Sequence, residues 1–331
     1  MPTFTTYDGT ELAYHFKGGG EPLVCLPGGA MRASAYLGDL GGLGAGRRLI
    51  LLDLRGTGDS AVPADESTYR VDHQVADVEA LRAHLGLERM DLLAHSAGGN
   101  LALLYAAAHP DRVRRIVLVT PTAWAADLPV TAEHRLEAAR LRAGTELYDR
   151  AIEAYEGILG GGADGDEAWE AAAPLFYSRW DDAARADWAA GAEDQNEKAA
   201  GAYAGPGAFD PPATRAGLRR VEGEVLVLAG GLDGNPRPAL AGQVAELFAR
   251  GVVDVQADAV HFPWLDDAGW FSARVERVLA ALVAKSVVRR SEERGAGTRY
   301  RMLDTIREYG HDWLAELGEV RTLADRHAHW T

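Results

Sequence analysis

Met90–Pro110 reads MDLLAHSAGGNLALLYAAAHP. Met90 to Ala94 is an apolar run of strand length, Ser96 stands in a tight turn of small residues, and Leu101 to Ala108 carries a helical pattern directly after it. A strand that turns straight into a helix forces the corner residue into a strained backbone conformation and presents its side chain at the turn. The residues two before and two after the corner must be small for the arms to approach, and here they are Ala94 and Gly98. Ala94 departs by one methyl from the usual Gly-x-Ser-x-Gly pattern. Ser96 is therefore a candidate nucleophile; taken alone, the motif also fits a buried serine in a small-residue turn.

A serine hydroxyl is a weak nucleophile at neutral pH and needs a base, a carboxylate to orient that base, and donors for the oxyanion. Residues for the carboxylate and the base follow later strands. VLVLAGGLDGNP, Val225 to Pro236, is an apolar strand that ends in a glycine-rich turn carrying Asp233. GVVDVQADAVHFPWLDDAGWF, Gly251 to Phe271, gives a short strand, a loop with His261 and a helix-like stretch. An early strand, Leu23 to Leu26, is followed by PGGA, so the backbone N–H groups of Gly29 and Ala97 are the candidate oxyanion donors, with Gly28 allowing close approach.

With LVCLPGGA, LILLDLRGTGDSA, LLAHSAGGNLALLYAAAHPDRV, IVLVTP, VLVLAGGLD and AVHFPWLDD in this order, the chain from about residue 1 to residue 283 resembles an α/β-hydrolase-fold serine hydrolase. The resemblance implies an α/β fold, a mostly parallel sheet flanked by helices, with the chain order nucleophile, acid, histidine that Ser96, Asp233 and His261 follow. Two residues depart from the family: Pro27 stands where a histidine usually precedes the glycine, and Ala30 where many members have proline. Asp53 matches a family position that orders a loop, and since it precedes the serine it fails the order expected of the acid. Asp258 is the nearest rival to Asp233, three residues before His261 and so on the same loop. His95 reads as a packing or locally bonded residue, and His109 as a helix terminator before proline.

Composition fits one sizeable domain with an insertion: 331 residues, 47% of them apolar, can bury a large core. No apolar run reaches the roughly 18 residues of a membrane span, and MPTFTTYDGTELAY lacks the basic-then-apolar pattern of a signal peptide, so the expectation is a cytoplasmic protein without membrane contact. Cys25 is the single cysteine, read as a buried filler that excludes an internal disulfide. With no metal-ligand cluster and no phosphate loop in the sequence, no cofactor and no metal are expected.

The expected domain boundaries are 1–121 with 215–283 for the α/β core, 122–214 for a helical cap and 284–331 for a C-terminal extension. Trp124, Phe176, Tyr177, Trp180 and Trp188 are aromatic candidates for the pocket or the cap's own core. From Thr122 to Arg215 there are 18 acidic against eight basic residues, ten of the chain's fifteen net negative charges, which argues against nucleic acid. The chain also resembles proline iminopeptidases through LPGG and HFPWLDD, and there carboxylates around the pocket hold a substrate's free amine; Glu193, Asp194 and Glu197 are the candidates for that role, and a solvated acidic helix surface is the preferred reading of them. A small molecule or short peptide is the expected substrate. Beyond the hydrolase-like part, KSVVRR, TRYRMLDTIREYG and ADRHAHW resemble a short stretch of AfsR/LuxR-like ATPase regulators, without their P-loop or helix-turn-helix. This tail reads as a β-hairpin around Gly295–Gly297 and an amphipathic helix, Leu303 to Leu317, whose apolar face would dock on the body or on a second copy as a homo-oligomer contact. A non-catalytic ligand-binding protein on the same scaffold is the competing reading, and the complete set of nucleophile, base and acid argues against it.

Overall fold

The apolar runs become the strands of one eight-stranded sheet. The computed structural model describes residues 1–163 and 165–279 and the backbone of 288–293 and 297–302. The strands are β1 (Thr3–Thr5), β2 (Glu11–Lys17), β3 (Glu21–Leu26), β4 (Arg47–Leu52), β5 (Met90–His95), β6 (Val113–Val119), β7 (Glu224–Gly230) and β8 (Gly251–Gln256), in the spatial order β1-β2-β4-β3-β5-β6-β7-β8. β2 runs antiparallel to β1 and β4, and every pairing from β4 to β8 is parallel. All six residues of β5 are buried, as a parallel strand covered on both faces requires. β8 closes the sheet as an edge, with Val252 and Val253 exposed.

Helices α1 (Val71–His84) and α2 (Gly98–Ala108) follow β4 and β5. Between β6 and β7 the chain forms only helices among the described residues: α3 (Ala132–Arg140), α4 (Glu146–Leu159), α5 (Asp166–Ala172), α6 (Asp182–Asp194), α7 (Glu197–Tyr203) and α8 (Pro211–Leu218). Side chains at Thr145, Asp181, Asn196 and Asp210 cap α4, α6, α7 and α8 by accepting backbone N–H bonds. This stretch has its own small core of Ala139, Ala151, Ile152, Tyr155, Ala172 and Leu175. Helices α9 (Pro238–Ala245), α10 (Pro263–Asp266) and α11 (Ala268–Leu279) complete the layers.

Because the chain passes from β3 to β4 on one side and then to β5 on the other, the topology reverses between β3 and β5. Ligands in open α/β sheets bind outside the carboxyl ends of strands at such a reversal. There the loop holding Gly28 and Gly29 faces the turn holding Ser96, since Leu26 is in register with Ala94.

One buried ion cluster fastens the rim of this half. Arg55 is fully buried and donates to both Asp77 oxygens at 2.5 and 2.6 Å and to Asp8 at 2.5 Å. Burial pushes the Asp77 carboxyl up to about 6 against the pull of Arg55. Arg55→Met leaves that carboxylate buried without its partner and is expected to destabilise the fold by about 3–5 kcal/mol in urea unfolding; a loss under about 1 kcal/mol would show the cluster to be dispensable. Asp53, read above as structural, accepts from Ser34 N at 2.8 Å, Ser34 Oγ at 2.7 Å and Asp59 N at 3.0 Å, tying the loops after β3 and β4 together.

The residues after Val278 form a second unit. In it β9 (Val288–Glu293) pairs antiparallel with β10 (Gly297–Met302), Glu293 opposite Gly297. The helix expected over Leu303–Leu317 and the stretch ADRHAHW lie outside the described residues.

Candidate active site

β5 ends at His95 and α2 begins at Gly98, so Ser96 sits at the corner with φ at +51°. A non-glycine residue there is strained by about 1–3 kcal/mol, and the surroundings hold it in place. Its N–H donates to the Val119 carbonyl at 3.0 Å, and its carbonyl accepts from Gly99 N at 2.9 Å and Thr122 N at 3.0 Å. The turn closes tightly: a Cβ on Gly98 would lie 2.5 Å from the Pro27 carbonyl oxygen, and one on Gly28 would lie 2.7 Å from Ser96 Cβ.

Three side chains from three loops meet here. His261 Nε2 is 2.9 Å from Ser96 Oγ, and His261 Nδ1 is 2.8 Å from Asp233 Oδ2. The carboxylate can only accept, so Nδ1 carries the proton and Nε2 is left free to accept from the serine hydroxyl. Asp233 is 3% exposed, which keeps this bond out of water, and its other oxygen accepts from Asn235 N at 2.8 Å. Asp258, the rival carboxylate, is exposed. The loop carrying His261 is held by Asp266, whose Oδ2 accepts from Val260 N at 2.9 Å and whose Oδ1 accepts from Ser178 Oγ.

The N–H groups of Gly29 and Ala97 meet no hydrogen-bond acceptor among the described residues, whereas Gly28 N–H donates to Tyr36 Oη at 2.6 Å. Two unpaired backbone donors beside a nucleophile are what an oxyanion needs. Gly29 has φ at +68°, a left-handed conformation suited to glycine, and the loop runs on through Ala30 and Met31, also at positive φ. A proline at position 30 would not fit this conformation, since its φ is fixed near −65°.

A cavity of about 800 Å³ opens over this site, lined by Gly29, His261 and Phe262 from the core and by residues of α5, α6 and α7. Its aromatic wall includes Phe176 stacked on Trp188 with ring centroids 5.7 Å apart, and Tyr177 stacked on Phe262 at 5.0 Å. Arg32 crosses it, donating to Asp187 Oδ1 at 3.2 Å with its guanidinium 4.4 Å above the Tyr36 ring. Asp166, Glu170 and Glu197 line the same cavity, and none of their three carboxylates has a hydrogen bond or ion pair among the described residues.

Of the substrate-contact candidates from sequence, Phe176 and Glu197 line this cavity, while Trp124, Trp180 and Glu193 do not. Glu193 is exposed because the face of α6 toward the cavity carries Asp187, Trp188, Gly191 and Ala192, two pairs each four apart, and Glu193 falls off that phase. Asp194 lies 3.8 Å from the Arg32 guanidinium. Trp180 packs on Tyr177 at 5.6 Å and lines a separate cavity with Arg150 and Pro174, and Trp124 belongs to a partly buried 3-10 turn after β6. Arg32, Tyr36, Asp166, Glu170 and Asp187 carried no sequence signal beyond the closeness of the first two to PGGA.

The sheet order and the strand-to-helix corner define an α/β-hydrolase fold, in which Asp233, His261 and Ser96 are hydrogen-bonded in line. The alpha/beta hydrolase fold family matches residues 21–150. Proline iminopeptidase of Lactobacillus helveticus (strain DPC 4571) is 40% identical over 101 residues, 29% of this chain and 34% of the relative, so the chain aligns with about a third of that relative's length. Among solved structures, an esterase from Rhodococcus sp. ECU1013 superposes with a TM-score of 0.62 at 26% identity, over 85% of this chain and 98% of that one. The proline iminopeptidase of Mycobacterium smegmatis superposes with a TM-score of 0.66 at 22% identity, over 86% and 100%. No helix among the described residues is long and apolar enough to cross a membrane.

Proposed function

We propose that this chain is a serine hydrolase that cleaves an ester or amide of a small molecule or short peptide through an acyl-enzyme. The observation that carries the reading is the continuous relay from Asp233 through His261 to Ser96, with the two unpaired N–H groups of Gly29 and Ala97 beside it. His261 Nε2 takes the proton of Ser96 Oγ as that oxygen attacks the carbonyl carbon, and the two N–H groups stabilise the resulting oxyanion. His261 then gives the proton to the leaving group; in the second half it deprotonates water, which releases the acyl group and restores Ser96. Asp233 stays ionised and stabilises the imidazolium in both halves. A binding protein has no need of this relay, so turnover is the preferred reading over the ligand-binding scaffold.

Within this class the cavity favours a substrate that carries a cation. Among the described residues Asp166, Glu170 and Glu197 have no counter-ion there, and Arg32, which lines the same cavity, is already matched by Asp187. An α-ammonium near such a rim is attracted, and the iminopeptidase-like relatives fit that chemistry. The test sets prolyl and alanyl anilides, with free and with blocked amines, beside short acyl esters. Serine-dependent cleavage of the free-amine anilides, at least about 10-fold above the blocked ones and weakening with added salt, is expected. Cleavage of esters alone, indifferent to the amine, would leave an esterase and remove the aminopeptidase reading.

A further inference from the structure

His95, next to the nucleophile in sequence, takes no part in the relay, yet both of its ring nitrogens are engaged. Nε2 lies 3.0 Å from the carbonyl oxygen of His261, and Nδ1 lies 2.7 Å from Tyr36 Oη. A carbonyl only accepts, so Nε2 carries the proton. The ring is buried among Tyr36, Phe262, Trp264 and His261, with the His261 ring centroid 4.9 Å away, and burial holds its pKa well below the ordinary histidine range. A neutral ring with Nε2 protonated has a bare Nδ1, so the Tyr36 hydroxyl must donate to it. The Tyr36 oxygen is then left to accept, and it accepts from Gly28 N–H at 2.6 Å. Each proton in the series is thereby assigned by the group at its far end.

We propose that Tyr36 and His95 are positioning residues, a single directed strut from Gly28 N–H through Tyr36 and His95 to the His261 carbonyl. The strut fixes the loop bearing the Gly29 oxyanion donor relative to the loop bearing the base. It spans the two halves of the machinery that must stay in register while Ser96 Oγ moves from hydroxyl to acyl ester. Among the described residues the His261 carbonyl has one other tether, Thr120 Oγ1 at 3.0 Å, which holds the base's loop without reaching the oxyanion loop. Thr120 is thus an internal control. A shift of the base by about 1 Å costs as much as 100-fold in rate, so a strut of three uncharged hydrogen bonds can matter for turnover beyond what it contributes to folding.

The inference rests on the acyl-enzyme reading, and the experiment separates the two. Tyr36→Phe keeps the ring beneath Arg32 and removes both of its hydrogen bonds; kcat is expected to fall by about 10- to 100-fold with KM near that of the unaltered chain and only a modest fall in Tm, from the partners left unpaired at Gly28 N–H and His95 Nδ1. His95→Gln keeps a donor toward the His261 carbonyl but places no acceptor where Nδ1 stood for Tyr36, and is expected to lose a similar factor. The Tyr36→Phe/His95→Gln double variant should lose no more than the larger single loss, whereas Thr120→Val should multiply with Tyr36→Phe. Activity of Tyr36→Phe within twofold of the unaltered chain, multiplying losses for the Tyr36 and His95 variants, or a fall in Tm that tracks the fall in kcat would each overturn the strut. If Ser96→Ala retains turnover, the acyl-enzyme reading fails instead. The strut is then decided without substrate, by the 15N spectrum of the histidine rings: His95 should show a bare Nδ1 that shifts in Tyr36→Phe, and a protonated Nδ1 would overturn the assignment.

Discussion

Ser96→Ala is expected to lower turnover of any cleaved ester by about a millionfold, close to the rate left by binding and the oxyanion donors alone. Its stability should hardly change. Alanine at φ +51° carries the same backbone strain as serine, and the hydrogen bonds that pin the corner, to the Val119 carbonyl and from Gly99 and Thr122, are all made by the main chain. Loss of activity with an unchanged melting temperature therefore assigns the effect to Oγ. Ser96→Gly adds a second reading of the same corner: glycine adopts positive φ freely, so this inactive variant should gain up to about 1 kcal/mol from relief of strain, offset in part by the entropy of the unfolded chain. Retained turnover in either variant would end the claim that Ser96 is the nucleophile.

The second large effect is expected at the acid. Asp233→Asn preserves shape and burial, but its amide can donate to His261 Nδ1, which moves the imidazole proton to Nε2 and turns that nitrogen from acceptor to donor toward Ser96. A loss of about 10⁴-fold in kcat is expected, with KM little changed. Asp258→Asn, made in parallel, should stay within a small factor of the unaltered chain because that carboxylate lies exposed and outside the relay. Should the two variants exchange their effects, the acid would have to be reassigned and the loop after β8 would hold both partners.

The corner serine, the apolar strands on either side of it and the glycine turns that follow were legible in the sequence because each is dictated locally. A buried parallel strand needs an unbroken apolar run, and a strand-to-helix corner needs small neighbours. Residues whose importance depends on meeting across the fold left no such imprint. Tyr36 looks like one more aromatic in a loop until the chain reversal between β3 and β5 brings it to His95. The acidic candidates show the same limit in finer form. Glu193, Asp194 and Glu197 are neighbours in sequence, yet helical phase and the break between α6 and α7 send them to solvent, to Arg32 and to the cavity. Asp166 and Glu170, one turn apart on α5, reach that cavity from a distant part of the chain.

At the end of α6 the chain is stitched to the loop after β3 by main-chain bonds: Ala33 N to the Asp194 carbonyl at 3.0 Å, Asn196 N to the Met31 carbonyl at 3.0 Å, and a bridge between Arg32 and Gln195. The segment that shapes the cavity thus also sets the path of the loop that presents Gly29. Grafting a different helical insertion onto this sheet to change what it accepts would discard part of the support of the Gly29 loop along with the old walls. An engineer of this scaffold gains more by exchanging side chains on α5 and α6 than by exchanging the helices that carry them.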